Sequence, residues 1–215
     1  MTTINRALLA LLILSLAFIL YSQFVAIGDL RSLDNRTLAA FQHIWVPGLQ
    51  PLFQAIALLG GLEVTTVLAV ALAVYLWRSG FHDEALALVA FPAALAVQAL
   101  YRRFVFHPGP ITNHGDGPSI SQFFHGVAPN SYPSGHVLRT VIVYGLIAFV
   151  IYRLAPAGWA RRLVIPAAGV MIAAMSFDRL YLAVHWQSDV VGGLLFGGLA
   201  LAAAIAWLDR PRVPR

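Results

Sequence analysis

The sequence contains no cysteine and no lysine, and few of its side chains carry a charge. The absence of cysteine excludes disulfide bonds, thiolate nucleophiles and cysteine-ligated metals. Because all 14 basic residues are arginine, any site that requires a cationic side chain must use a guanidinium group. The arginines are scattered along the chain, so the net charge of +5 does not indicate a nucleic-acid partner.

Hydrophobic residues make up 60% of the 215-residue chain, and charged residues only 11%. Soluble domains average about 45–50% apolar and about 25% charged residues. Six apolar runs, some of them short, approach the roughly 17–25 residues that a membrane-spanning helix needs. They are residues 7–27, 62–77, 84–101, 135–153, 163–177 and 189–208. The sequence therefore predicts an all-α, six-transmembrane helix bundle that forms a single integral membrane domain over residues 1–215.

The distribution of arginine predicts how the bundle is oriented. The first run follows Arg6 but is long for a signal peptide and has no small-x-small cleavage site, so we interpret it as a retained span. With the N-terminus in the cytoplasm, eight arginines fall on that side and six on the other. The positive-inside rule then places both termini in the cytoplasm.

Two long segments fall on the outer side. Residues 28–61 contain an amphipathic stretch near 38–44 and an apolar stretch near 51–59, which we expect to lie along the membrane surface. Residues 104–134 are rich in Gly, Pro, Ser, Asn and His, which predicts an irregular loop. Structureless loops of this length are usually functional.

The segment that reads RLYLAVHWQSD, residues 179–189, carries a candidate nucleophile. If it is helical, the four-residue spacing puts His185 and Asp189 on one face. A carboxylate beside an imidazole fixes its tautomer and supports positive charge on the ring, which leaves the other nitrogen nucleophilic. Arg179 lies near the end of the fifth run, and its guanidinium group matches phosphate oxygens.

The segment YPSGH, residues 132–136, precedes the fourth run. The N–H groups of a helix start, the hydroxyl of Ser134 and the close approach that Gly135 permits form a candidate anion site. His136 would lie at the rim of that site, where it could protonate a leaving oxygen. All of these residues fall on the predicted outer side, where ionisable groups at membrane depth are functional candidates.

These motifs resemble those of the type 2 phosphatidic acid phosphatase, or lipid phosphate phosphatase, superfamily, which shares its phosphate pocket with vanadium haloperoxidases. The motif Pro-Ser-Gly-His is intact at residues 133–136. The motif Ser-Arg-five residues-His-three residues-Asp is matched by Arg179, His185 and Asp189, with Asp178 in place of the serine. The resemblance covers about residues 60–205, which we take as the catalytic core.

The motif Lys-six residues-Arg-Pro is the least well matched. Arg102 occupies the lysine position, Gly109 replaces the arginine, and Pro110 follows as expected. We hypothesise that Arg139, three residues after His136 and on the same helix face, supplies the missing guanidinium group. His107 is a second candidate. Alternatively, Arg139 reaches the membrane interface or pairs with an acid such as Asp178.

The resemblance implies a metal-independent lipid phosphatase with a phosphohistidine intermediate. His185 would attack phosphorus, Asp189 would orient His185, and His136 would protonate the leaving group and then activate water. The phosphoryl oxygens would be held by Arg102, Ser134, the Gly135 amide and Arg179, with Arg139 as the replacement cation. We expect no cofactor and no metal. The expected substrate is a lipid phosphate or diphosphate of the undecaprenyl diphosphate, phosphatidylglycerophosphate or phosphatidic acid type.

The resemblance further implies a bacterial inner-membrane protein of the cell envelope, whose site faces the periplasm or outside. His114, Asp116 and His125 in the outer loop fit no common metal template, so we expect headgroup contacts or solvation there. Phe123 and Phe124 would line the entrance for an acyl chain or anchor the loop.

Three other functions stay open on the sequence. An intramembrane serine protease could use Ser134 with His185 as its base, but it leaves Arg179, Asp189 and His136 without a role. A degenerate pocket would make the protein a non-catalytic lipid-binding or transport component. An alcohol in place of water would make it a phosphotransferase.

Overall fold

The computed structural model describes residues 3–111, 113–115 and 130–210, with side chains from residue 7 onward. Throughout this part of the chain the regular structure is helical. The helices are α1 (Thr3–Ile27), α2 (Arg31–His43), α3 (Gln50–Gly60), α4 (Leu62–Arg78), α5 (His82–Ala87), α6 (Ala90–Phe104), α7 (Gly135–Leu154), α8 (Trp159–Tyr181) and α9 (Gln187–Leu208), with a 3-10 turn at Pro47–Leu49.

Six helical stretches of the described chain are long and apolar enough to cross a membrane, which confirms the predicted number and order of spans. They are Ala7–Ile27, Pro47–Arg78, His82–Phe104, Gly135–Leu154, Trp159–Tyr181 and Gln187–Leu208. Helices suit this environment because each satisfies its own backbone hydrogen bonds, which lipid cannot do.

The boundaries of three spans differ from the prediction. The second, predicted as 62–77, is the stretch Pro47–Arg78, in which α3 precedes α4. The third is divided into α5 and α6, and Pro92 lies in the first turn of α6, where its missing N–H has no helical partner to lose. The fifth, predicted as 163–177, extends as α8 from Trp159 to Tyr181. The apolar run in the sequence ends before the charged residues 178 and 179, but both of these residues are buried inside the helix.

Helix α7 is the centre of the bundle and packs against α8 and α9. Its Val137, Leu138, Ile142 and Leu146 are all fully buried. A Cβ atom at Gly193 of α9 would lie 2.8 Å from the backbone oxygen of Ser134, at the start of α7. Glycine therefore permits α9 to approach α7 closely enough for the two helix starts to meet.

Helix α1 packs on α9 and reaches the segment before α7. The Oγ of Ser22 lies 2.8 Å from the hydroxyl of Tyr132, and both groups are buried. At the opposite end of the bundle, Arg153 contacts Asp209 at 2.7 Å and Glu84 at 3.5 Å. One end of the bundle therefore carries paired charges, and the motif residues lie at the other end.

Candidate active site

The starts of α7 and α9 are joined by a backbone hydrogen bond from the N–H of Ser134 to the oxygen of Asp189, at 3.0 Å. Ser134 is the residue that precedes α7, and it is fully buried. Its hydroxyl oxygen has no hydrogen-bond partner among the described atoms. A buried, unpartnered hydroxyl beside the free N–H groups of a helix start is the arrangement that an anion would satisfy.

His185 and Asp189 form the predicted pair, with Nδ1 of the imidazole 3.1 Å from Oδ2 of the carboxylate. The condition of a helical segment holds for Asp189 but not for His185, because α9 begins only at Gln187. Asp189 lies in the first turn and accepts the N–H of Trp186 at 3.0 Å, so the histidine reaches it from outside the helix. A proton on Nδ1 then leaves the lone pair on Nε2.

The turn after α8 places His185 next to α9. The N–H of Val184 donates to the oxygen of Arg179 at 3.2 Å, and the N–H of Ala183 donates to that of Leu180 at 3.0 Å. These two bonds, with Ala183 at a φ of +53°, form a Schellman motif in which alanine takes the usual glycine position. The helix therefore ends sharply, and the chain reverses within a few residues.

Arg179 lies in the last turn of α8 and is fully buried. Its Nε donates to Oδ2 of the neighbouring Asp178 at 2.7 Å, and an Nη of the same guanidinium contacts the same oxygen. The acid that replaces the motif serine therefore pairs with the motif arginine. A buried guanidinium requires such compensation when no anion is bound.

Arg139 and Gln98 converge on the start of α7. The Nε of Arg139 donates to the backbone oxygen of Gly60 at 3.1 Å. The Nε2 of Gln98 donates to the oxygen of Pro133 at 3.1 Å. A Cβ atom at Gly135 would lie 2.7 Å from Nη1 of Arg139 and 2.7 Å from Nε2 of Gln98. The two donors thus occupy the space beside Gly135 that any larger residue would fill.

His136 is partly exposed, and its ring lies within electrostatic reach of His185 and of three arginines. These are Arg102 from the last turn of α6, Arg139 from α7 and Arg179 from α8. The predicted site residues from four separate segments therefore meet at one end of the bundle. Such a cluster of guanidinium groups favours a bound anion.

His107 does not belong to this cluster of arginines. Its Nε2 lies 3.1 Å from Oγ of Ser188 and 3.5 Å from Oδ1 of Asp189, on the far side of the carboxylate from His185. A Cβ atom at Gly109 would lie 3.8 Å from the oxygen of Val184 and would meet only ordinary contacts. The position that lost the motif arginine therefore borders the segment that carries His185.

Several polar residues at the site were not predicted from the sequence. Gln98 is buried in the third span. Its polar amide stands among apolar residues in the sequence, and this contrast could have marked it as a candidate. Asp34 of α2 is also buried and accepts hydrogen bonds from the N–H and Oγ of Ser188, each at 2.8 Å. Nothing in the local pattern of residues 31–43 distinguishes this acid from a surface charge.

Part of the predicted loop can be located. Asp116, His125, Phe123 and Phe124 lie outside the described residues. The ring of His114 stacks on Trp45 with centroids 3.9 Å apart, and its Nε2 lies 2.8 Å from Oε1 of Gln42. Burial lowers the pKa of the His114 imidazole. This residue therefore fixes one point of the loop against the segment that follows α2.

Ser134 lacks the contact that a serine nucleophile needs. Its hydroxyl has no hydrogen-bond partner, whereas activation of serine requires a base within hydrogen-bond reach. His185 bonds Asp189 through Nδ1, and no hydrogen bond joins its Nε2 to the Ser134 hydroxyl. This geometry disfavours the serine protease hypothesis.

The fold and the site together define a class, namely a helical membrane protein in which two histidines and three arginines lie close together at one end of the bundle. Comparison with known proteins agrees. The sequence matches the family model described as PAP2 superfamily over residues 85–212. The chain belongs to the PAP2 superfamily, and it is an integral membrane protein.

Two curated relatives are similar to this chain. One, from Escherichia coli (strain K12), is named "Putative undecaprenyl-diphosphatase YbjG" and is 30% identical over 81% of this chain and 84% of its own length. The other, "Phosphatidylglycerophosphatase B" of Bacillus subtilis (strain 168), is 35% identical over 31% of this chain and 34% of its own. These homologues support a phosphatase of the lipid type.

A solved structure has the same fold. It is the crystal structure of a transmembrane PAP2-type phosphatidylglycerolphosphate phosphatase from Bacillus subtilis, with a TM-score of 0.82. The similarity covers 95% of this chain and 98% of that one at 22% sequence identity. At this identity the comparison establishes the shared architecture.

Proposed function

We propose that the protein hydrolyses the phosphate ester or diphosphate of a membrane lipid through a phosphohistidine at His185. The observation that carries the proposal is the pairing of His185 with Asp189 beside a helix start that arginines surround. This arrangement supplies a nucleophile, its orienting acid and a cation-rich place for the phosphoryl group. Each element has a separate role in phosphoryl transfer.

In the first step, the Nε2 lone pair of His185 attacks phosphorus while Asp189 stabilises the positive charge that develops on the ring. His136 protonates the leaving oxygen, for which its partly exposed position at the start of α7 is suitable. In the second step, neutral His136 takes a proton from water while the water oxygen attacks phosphorus, and the P–N bond breaks to release phosphate and restore His185. Asp189 holds His185 in the same orientation throughout.

The oxygens of the phosphoryl group are held by cations and by backbone donors. Arg102 and Arg179 supply guanidinium groups from α6 and α8, and the hydroxyl of Ser134 and the N–H of Gly135 supply the helix start. Arg139 takes the place of the arginine missing at Gly109, because its guanidinium lies beside Gly135. These donors neutralise the developing charge, so we propose that the reaction needs no metal ion.

The relatives support two groups of substrate. A relative named for undecaprenyl diphosphate matches 81% of this chain, and one named for phosphatidylglycerophosphate matches 31%. We therefore propose that a polyprenyl diphosphate is the first substrate to test and phosphatidylglycerophosphate the second. In both, the apolar chains remain in the bilayer while the phosphate enters the pocket from its rim.

We further propose that the pocket opens on the outer face of a bacterial inner membrane. The excess of arginine on the opposite side supports this orientation. Fusions of a periplasm-dependent phosphatase reporter to the C-terminus should be inactive, and fusions within residues 116–129 should be active. The opposite result would contradict this orientation.

The proposed activity is tested by phosphate release from purified protein in detergent micelles. The panel contains undecaprenyl diphosphate, phosphatidylglycerophosphate and phosphatidic acid, with excess EDTA present in parallel reactions. We expect release from at least one lipid, inhibition by vanadate, no effect of EDTA and loss of activity in His185→Ala. Folded wild-type protein that releases phosphate from none of them would support the lipid-binding alternative instead.

A further inference from the structure

A second chain of hydrogen bonds lies behind Asp189, on the side away from His185. Asp34 of α2 is only 3% exposed and holds Ser188 of α9 through two hydrogen bonds of 2.8 Å. The hydroxyl of Ser188 lies 3.1 Å from Nε2 of His107. The same nitrogen lies 3.5 Å from Oδ1 of Asp189, an oxygen with no hydrogen-bond partner among the described atoms.

The direction of these hydrogen bonds follows from the groups involved. A carboxylate only accepts, so the single proton of the Ser188 hydroxyl is donated to Asp34. The Ser188 oxygen can therefore only accept from His107, which requires a hydrogen on Nε2 of that ring. The same Nε2–H lies near the unbonded oxygen of Asp189, at 3.5 Å between the nitrogen and the oxygen, so its positive charge faces a carboxylate. Asp34 thus determines which tautomer of His107 faces the acid.

We propose that Asp34, acting through Ser188 and His107, positions the carboxylate of Asp189 and sets how strongly that carboxylate supports positive charge on His185. The proposal rests on the proposed function, in which His185 is the nucleophile. Asp34, Ser188 and His107 are positioning residues, because each acts through Asp189 and not on the phosphoryl group. An acid of the helix outside the six spans is thereby coupled to the reaction.

Other ionisable groups around Asp189 set the background for this coupling. They are His185 and His107, Asp34 from α2, Tyr21 from α1 and Tyr132 before α7. Burial raises the pKa of the Asp34 carboxyl, although its hydrogen bonds with Ser188 and the nearby His107 oppose this shift. Protonation of Asp34 at low pH would remove an oxygen that accepts a hydrogen bond from Ser188. Replacement of the carboxylate by an amide makes this change at every pH.

Asp34→Asn reverses the chain of hydrogen bonds without changing the shape of the side chain. The new amide N–H₂ donates to the Ser188 oxygen, whose own proton then turns towards His107. The hydrogen of His107 moves to Nδ1, and a lone pair faces Asp189 in place of an N–H. Asp189 then supports charge on His185 more strongly, so protonation inactivates the nucleophile more easily. We expect the acidic limb of the pH profile of kcat/KM to move to higher pH by about one unit. At pH values below that limb, the variant should then be about tenfold less active than the wild type.

Ser188→Ala is expected to move the same limb in the opposite direction. Without the hydroxyl, the Nε2–H of His107 has Asp189 as its nearest acceptor, at 3.5 Å in the native structure. The carboxylate is then more fully neutralised, and the limb moves to lower pH. Thr37→Val is the matched control, because the Thr37 hydroxyl also joins α2 to α9, through Gln187, but does not reach Asp189.

Opposite shifts for the two variants, with an unchanged profile for Thr37→Val, would support the proposal. Shifts of the same sign, or none, would overturn it, because a merely structural role gives no reason for opposite signs. The tautomer of His107, measured by NMR of ¹⁵N-histidine-labelled protein, provides a readout that needs no turnover. If no lipid phosphate is hydrolysed, the proposed function fails, while an unchanged His107 tautomer in Asp34→Asn would by itself overturn the inference.

Discussion

Arg139 and Gly60 are joined by a hydrogen bond of 3.1 Å from the guanidinium Nε to the backbone oxygen at the end of α3. This bond holds the guanidinium of Arg139 from a neighbouring helix, and its Nη1 lies beside Gly135. An arginine of the fourth span therefore lies beside the residue that begins this span. If Arg139 replaces the motif arginine, as we propose, the site keeps its number of cations although one motif position is glycine.

Arg139→Ala should reduce kcat/KM for the best lipid substrate by about 10²–10³-fold, the usual effect of removing one donor from a preorganised anion pocket. The measurement is phosphate release by the purified variant, corrected for the folded fraction. Arg161→Ala is the matched control, because it removes a guanidinium group that lies over Tyr152 at the other end of the bundle. Native turnover in folded Arg139→Ala would exclude the arginine from the pocket.

Gly109→Arg should partly restore activity when it is combined with Arg139→Ala. A Cβ atom at this position makes its nearest contact at 3.5 Å, with Cβ of Ser131, so a side chain can begin there without displacing its neighbours. Rescue in the double variant shows that the two positions serve one pocket. If the double variant is no more active than Arg139→Ala, the hypothesis that Arg139 replaces the arginine missing at position 109 is contradicted.

Gly135→Ala should impair activity more than stability. The added methyl group would meet the ends of two polar side chains at 2.7 Å and displace them from the start of α7. Gly198→Ala is the control, because a Cβ atom there has no neighbour within 4 Å, and it should stabilise α9 by about 0.5–1 kcal/mol. Equal losses of activity in the two variants would show that the space beside Gly135 is not special.

Asp178→Ser, which restores the family residue, should make the protein less stable until an anion is bound. Removing one partner of a buried ion pair costs about 3–5 kcal/mol, and Arg179 would be left without this carboxylate. Vanadate, as a phosphate analogue, should therefore raise the melting temperature of the variant more than that of the wild type. An equal response of both proteins to vanadate would place Arg179 outside the anion pocket.

Acidification should weaken the attachment of His114. Because burial lowers the pKa of this imidazole from its ordinary value of 6.5, the unfolded chain binds the proton more readily than the folded chain. The contribution to stability is complete above that ordinary value and is lost as the pH falls through the lower, folded-state pKa. From about pH 7.5 to about pH 5.5, the melting temperature of the wild type should fall more than that of His114→Gln. Parallel curves would contradict this.

The fold was largely predictable from the sequence, because long apolar runs have few alternatives in a bilayer. The misplaced end of α8 has a simple cause: Asp178 and Arg179 look like a boundary in sequence, yet each compensates the charge of the other inside the helix. The charge of a single residue therefore marks a boundary only when no neighbour pairs with it.

The site was predicted less completely, for a different reason. His136, His185 and Asp189 stand in recognisable spacings, so the sequence alone was enough to select them as candidates. Asp34 lies 154 residues from Ser188 in the sequence, and no local spacing joins them. Contacts across the bundle determine such partners, so they became visible only in the structure.

The most direct test of the account is to trap the phosphorylated enzyme. His136→Ala should still accept a phosphoryl group from an activated ester such as p-nitrophenyl phosphate, because that leaving group needs little protonation, but it should hydrolyse the intermediate slowly. Mass spectrometry under alkaline conditions should then find one phosphoryl group, on His185. Its appearance on Ser134, or full turnover by folded His185→Ala, would contradict the account.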